Sequence, residues 1–140
     1  MFHTFAALPQ SCAASSKVLE ILRKEELCER VKPMGDKVLK KLNQRLGQHP
    51  HVAEIRGKGL LIGIEIVQNK EDLIPFPEEE KITSQIMQKG LQVGVFLYPG
   101  GTGVYRDIIC LGPAFIVEDS DIDLMVDVAE NSIKYVTERY

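Results

Sequence analysis

The chain has 140 residues, 44% of them hydrophobic, which is the length of one domain with apolar content for one core and argues against disorder. Its 17 Lys+Arg against 20 Asp+Glu give a net charge of −3 with no basic block, a poor match for nucleic acid. No apolar run approaches the ~18 residues that cross a bilayer and no charged-then-apolar leader is present, so the expectation is a soluble, cytoplasmic chain with neither nucleic acid nor membrane as partner.

From Pro9 the pattern is helical, with Ala14, Val18, Ile21 and Leu22 on one stripe and Ser16, Lys17, Glu20 and Arg23 elsewhere. A second stripe runs Leu27, Val31, Met34, Val38, Leu42, Leu46 and ends at Gly47. Pro33 lies inside it, which predicts either a kink or a short helix followed by the main one. In VAEIRGKGLLIGIEIV the period changes to two, with Leu60, Ile62, Ile64 and Ile66 on one parity, and Gly57-Lys58-Gly59 marks the turn between two antiparallel strands. Residues 68–77 contain Asn69, Asp72, Pro75 and Pro77 and read as a surface loop. A helix is predicted from Glu78, its first-turn acids favoured by the helix dipole, with Ile82, Ile86 and Leu91 apolar. A strand from Gln92 to Leu97, a glycine-rich loop from Tyr98 to Tyr105 and a strand from Asp107 to Leu111 follow. Ser120 and Asp123 have capping-box spacing at the start of a closing helix striped by Ile122, Val126, Ala129, Ile133 and Val136. This order predicts an α+β domain, a small, mostly antiparallel sheet with helices packed on one face.

Chemistry is sparse by spacing alone. His3, His49 and His51 share no ligand spacing with a cysteine or carboxylate, so no metal site is expected, and His49-Pro50-His51 reads as a solvated turn. Cys12, Cys28 and Cys110 form neither a disulfide framework nor a zinc set and read as buried small residues. PGGTG lacks the Lys-Ser/Thr pair and helix of a nucleotide loop, which leaves a mobile loop over a cleft or an ordinary strand connection. Arg56 reads as structural, pairing with Glu65 or Glu54 to fix the hairpin.

Taken together, HTFAALPQSCAA, VLEIL, HPHVAEIRGKGLLIGIEIV, PFP, GVFLYPGG, DIICLGPAF and IDLMVD, in this order and spacing, resemble the C-terminal part of class III aminotransferases, the pyridoxal-phosphate enzymes of fold type I that include the omega-aminotransferases. EIRGKGLLIGIEIV is the most specific stretch, and the resemblance covers essentially the whole chain. It implies that residues 1–8 are an interface segment left from a large domain and that residues 9–140 are the small C-terminal domain. Thr4 matches the threonine that reaches the phosphate of a neighbouring subunit's cofactor, although a residue so near the start also fits an unordered terminus. The lysine that forms the Schiff base lies upstream of HTF in the family, whereas the first lysine here is Lys17, inside a helix.

Departures from the family pattern are equally specific. Ala7 and Leu8 replace the usual Gly followed by His or Asn, and Cys110 stands where ornithine-type members carry an arginine that clamps the substrate carboxylate. No arginine lies in Tyr98 to Thr102, where other members have one; Tyr98 and Arg106 are therefore the substrate-gate candidates. The resemblance thus implies part of an enzyme that moves an amino group from an amine or amino acid to a keto acid, with no cofactor bound and no activity in this chain alone. Its implied partner is a second copy or a full-length aminotransferase subunit. The alternative is a non-enzymatic interaction or regulatory module that associates with such an enzyme, or a gene fragment without selected function.

Overall fold

Helix, helix, strand, strand, helix, strand, strand, helix is the order seen in the computed structural model, which describes residues 8–101 and 106–140. Helix α1 spans Pro9–Lys24, with proline at the first helical position, where its missing N–H costs nothing. Its apolar stripe forms but is not covered: α1 buries no residue, and Val18 and Leu19 are 55% and 53% exposed. The helix stops at Glu25, and Glu26, in the left-handed region at φ 49°, turns the chain into α2 (Leu27–Leu46). Helix α2 runs through Pro33 without a break, so the expectation of two separate helices is not met. The ring leaves the Glu29 carbonyl without its i+4 donor, a loss offset by Val38, Leu42 and Leu46, which are fully buried further along the same helix.

Strands β1 (Val52–Lys58) and β2 (Leu61–Ile66) form the expected hairpin, with Lys58 opposite Leu61. The reversal is at Gly59-Leu60, one residue later than the glycine pair suggests, and Gly59 supplies the positive φ of 57°. Helix α2 lies directly on this turn: a Cβ on Gly35 would overlap the Gly59 carbonyl oxygen, so only two glycines allow the approach. The loop after β2 is not wholly a surface feature. Phe76 is fully buried, between the rings of His51 at 5.4 Å and Tyr140 at 4.8 Å.

Three boundaries differ from the sequence reading. Glu78–Glu80 form a separate 3-10 turn, and Lys81 at φ 48° breaks the chain before α3 (Ile82–Gln92), so the three acids do not sit in the first turn of that helix. No strand forms from Gln92 to Leu97; the strand is β3 (Tyr98–Gly100), carved from the predicted loop, because its partner β4 (Ile108–Leu111) offers a free edge there. Helix α4 (Asp119–Thr137) is capped by a box of Glu118 and Asp121, two residues earlier than Ser120 and Asp123.

The sheet order is β1-β2-β4-β3, antiparallel throughout. One face meets the helices through Ile62, Ile64, Ile66, Ile109 and Leu111, all 2% exposed or less, with Leu42, Ile86, Ile122 and Ile133 opposite. The α+β layer with helices on one face is therefore observed as expected. Along the α2–α4 seam runs a ladder of ion pairs, Lys37–Asp119, Lys41–Asp123 and Arg45–Asp127, each four residues on from the last in both helices. Its members are partly exposed, so the apolar seam beneath carries most of the stability.

Two further expectations are corrected. Cys12 and Cys28 are exposed and Cys110 half-buried, because α1 has no cover, Cys28 sits off the buried stripe of α2, and Cys110 points to the outer face of β4. His49 and His51 are half-buried rather than solvated: His51 Nδ1 reaches the carbonyls of Val67 and Gln68, both at 3.1 Å, and burial lowers the pKa of His49.

Candidate functional site

The face of the sheet away from the helices is open, and side-chain alternation determines what stands on it. Strand register puts Arg56 opposite Gly63, Gly63 opposite Cys110 and Cys110 opposite Tyr98. These four residues form one lane across the whole sheet, roughly 14 Å wide at the usual strand spacing. Neighbouring positions on this face are Glu54, Glu65, Ile108 and Gly100, in register with one another. A Cβ on Gly100 would overlap Cys110 Sγ, so the thiol lies over that glycine.

The lane divides electrically into two halves. On the β1–β2 side, Arg56 Nη1 donates to Glu54 Oε2 at 2.7 Å and to Glu65 Oε2 at 2.5 Å. The bond to Glu65 is the main reason the guanidinium pKa is raised, with Glu54 adding to it. Arg56 is thus the hairpin clasp expected from the sequence. On the β4–β3 side the residues are neutral: Ile108, Cys110, Tyr98 and, two positions before Tyr98, Phe96. Phe96 and Tyr98 are 58% and 59% exposed and meet edge to face, with ring centres 6.1 Å apart.

Of the residues singled out by sequence, Thr4 lies outside the described residues, as does the 102–105 part of the glycine-rich loop. Tyr98 stands on the open face, in register with Cys110, so two positions weighed separately in the sequence are neighbours in the fold. Arg106 is not beside them. It precedes β4, is half-buried, and its Nη2 donates to the Phe76 carbonyl at 2.6 Å. From Val93 to Leu111 it is the only basic residue in the sequence. Sequence reasoning missed Phe96, which it placed in a strand; its shared parity with Tyr98 and Gly100 was the available signal.

Every half-buried lysine is engaged: Lys37 with Asp119, Lys41 with Asp123, Lys70 with the Gly47 carbonyl at 3.0 Å, and Lys89 on the Tyr135 ring at 3.6 Å. Among the described residues no set of three or more His, Cys, Asp or Glu is placed to hold a metal ion, and no helix is long and apolar enough to cross a membrane.

A family model described as aminotransferase class-III matches residues 2–133. An uncharacterized aminotransferase of Schizosaccharomyces pombe is 39% identical over 94% of this chain and 29% of its own length. The human mitochondrial alanine–glyoxylate aminotransferase 2 is 31% identical over 99% of this chain and 26% of its own length. A Bacillus anthracis aminotransferase of known structure superposes with a TM-score of 0.88 at 31% identity, over 96% of this chain and 30% of that one. The chain therefore spans less than a third of the length of these relatives.

Proposed function

Because the chain belongs to the class-III aminotransferase family, we propose that residues 9–140 act as the small domain of a pyridoxal-phosphate aminotransferase, with residues 1–8 as an interface segment against the larger part. The observation that carries this reading is the α+β layer with an open sheet face and a bare α1, matched over nearly the whole chain by under a third of a solved aminotransferase. The reaction proposed is transfer of an amino group from an amine or amino acid to a keto acid.

Pyridoxal phosphate supplies the electron sink for such a transfer. Each half-buried lysine of this chain already has a partner, which supports a reading in which the lysine that takes the cofactor lies elsewhere. The cofactor lysine is accordingly assigned to the remainder of the enzyme, and this chain alone to an inactive, cofactor-free state. Thr4 is proposed to reach the phosphate of a neighbouring subunit's cofactor. Tyr98 lines the substrate side of the gate, where its ring and Phe96 offer an apolar wall. Arg106 donates through Nη2 to the Phe76 carbonyl, and its remaining guanidinium N–H groups are the ones proposed to meet a substrate carboxylate.

Replacement of the matching segment of the Bacillus anthracis aminotransferase by this chain tests the reading. The chimera is expected to transfer amino groups; a folded, cofactor-loaded chimera without transfer in any amine and keto-acid pair overturns it. In parallel, borohydride reduction of the 140-residue chain mixed with pyridoxal phosphate is expected to leave no adduct at a defined lysine. The bare α1 stripe also suits a non-enzymatic module that associates with a full-length aminotransferase, and an inactive chimera beside capture of that enzyme would favour it.

A further inference from the structure

Asp107 is 6% exposed, and its Oδ2 is the one buried side-chain oxygen or nitrogen among the described residues with no hydrogen-bond partner. It shares the inward parity of Ile109 and Leu111 at the head of β4, on the side of the sheet that meets the core. Its main-chain carbonyl accepts from the Ile66 N–H at 2.7 Å, which fastens the head of β4 to the end of β2. Arg106 is the only charged group bearing on it among the described residues, and that side chain donates to the Phe76 carbonyl.

A mostly buried carboxylate with one oxygen cut off from water and lacking a donor is a costly arrangement, whereas the neutral acid gives up far less hydration on burial. We infer that Asp107 is a proton-operated latch: with its proton it seats in the core and holds the head of β4, and without it the head of the strand is drawn toward solvent. Burial holds the carboxyl above the usual aspartate range, and Arg106 offsets this only in part. The strand it fastens carries Ile108 and Cys110 on the open face, so its seating sets the neutral half of the lane. This follows from the chain's own packing and does not depend on the proposed reaction.

The sign follows from linkage. A folded state that binds this proton more tightly than the unfolded chain loses stability as pH rises from the ordinary aspartate value, about 3.9, through the raised one. The test is carbon-detected NMR titration of the Asp107 carboxyl in the full 140-residue chain, with hydrogen exchange of the Ile66 amide, corrected for base catalysis, followed over the same range. The expected result is a midpoint above the ordinary value and Ile66 protection falling by up to about tenfold per pH unit within that window. In Asp107→Asn, a neutral isostere, protection should stay flat. A carboxyl that titrates at or below the ordinary value, or Ile66 protection that falls equally in the variant, overturns the inference. The wild-type titration decides the matter even where the variant fails to fold.

Discussion

Helices α1 and α4 are similar in length, 16 and 19 residues, and both carry an apolar stripe, yet α4 buries eight residues and α1 none. Helix α4 lies between α2 and α3 and is held by core contacts, a capping box and the ion-pair ladder. Helix α1 packs chiefly against α2 and has no side-chain cap. The same periodicity thus serves two purposes. In α4 it completes the core of this chain, and in α1 it presents a surface that nothing in the described residues covers. On the proposed reading that surface would face the larger part of the enzyme.

The contrast can be broken or sharpened by substitution. Ile133→Ala, at a fully buried site on α4, should lower stability by about 2–5 kcal/mol in denaturant titration of the 140-residue chain. Gly35→Ala should cost about 1–3 kcal/mol, because its methyl meets the backbone of Gly59 and α2 must lift from the hairpin turn. Next in size is the ladder. Lys41 holds the Asp123 carboxyl below its ordinary pKa, and Lys134 with Arg45 does the same for Glu130. Their contribution is present above the unfolded carboxylate values and is lost as pH falls through the depressed ones, the opposite direction to Asp107. Thermal melts at neutral and acid pH should show this loss, and added salt should reduce it. Smallest of all, Val18→Ser and Leu19→Ser on α1 should change stability by no more than about 0.5 kcal/mol. A cost on α1 comparable with that of Ile133→Ala would remove the distinction between the two helices.

Much of this architecture was legible because it is local. The α4 stripe of Ile122, Val126, Ala129, Ile133 and Val136 is buried as its spacing predicts, and the change to period two at Leu60 marks the hairpin. What was not legible depends on partners distant in sequence. Tyr98–Gly100 looks like a loop until β4 offers its edge, and Lys81 ends the acidic turn by a backbone angle that no composition signals. Phe76 sits among loop residues and becomes core because His51 and Tyr140 close over it. For the site, the pairing of Arg56 with Glu54 and Glu65 followed from strand alternation. The meeting of Tyr98 with Cys110 needed the register of β3 on β4, which the short strand fixes only in three dimensions.

The ladder between α2 and α4 has a further consequence for how the two helices find each other. Bases at 37, 41 and 45 and acids at 119, 123 and 127 share one four-residue period, so a slip by one turn, about 6 Å along the axis, still matches Lys41 with Asp119 and Arg45 with Asp123. The charges behave as a ruler with repeated marks: they bring the helices side by side and permit several offsets. Only features without that repeat choose among them, namely the reach of Arg45 to Glu130 at 3.0 Å and the unequal side chains of Ile122, Val126, Ala129 and Ile133 beneath. Alignment during folding is thus coarse in the salt bridges and fine in the hydrocarbon, and replacing Ala129 by a larger residue would blur the choice of offset more than deleting any single rung.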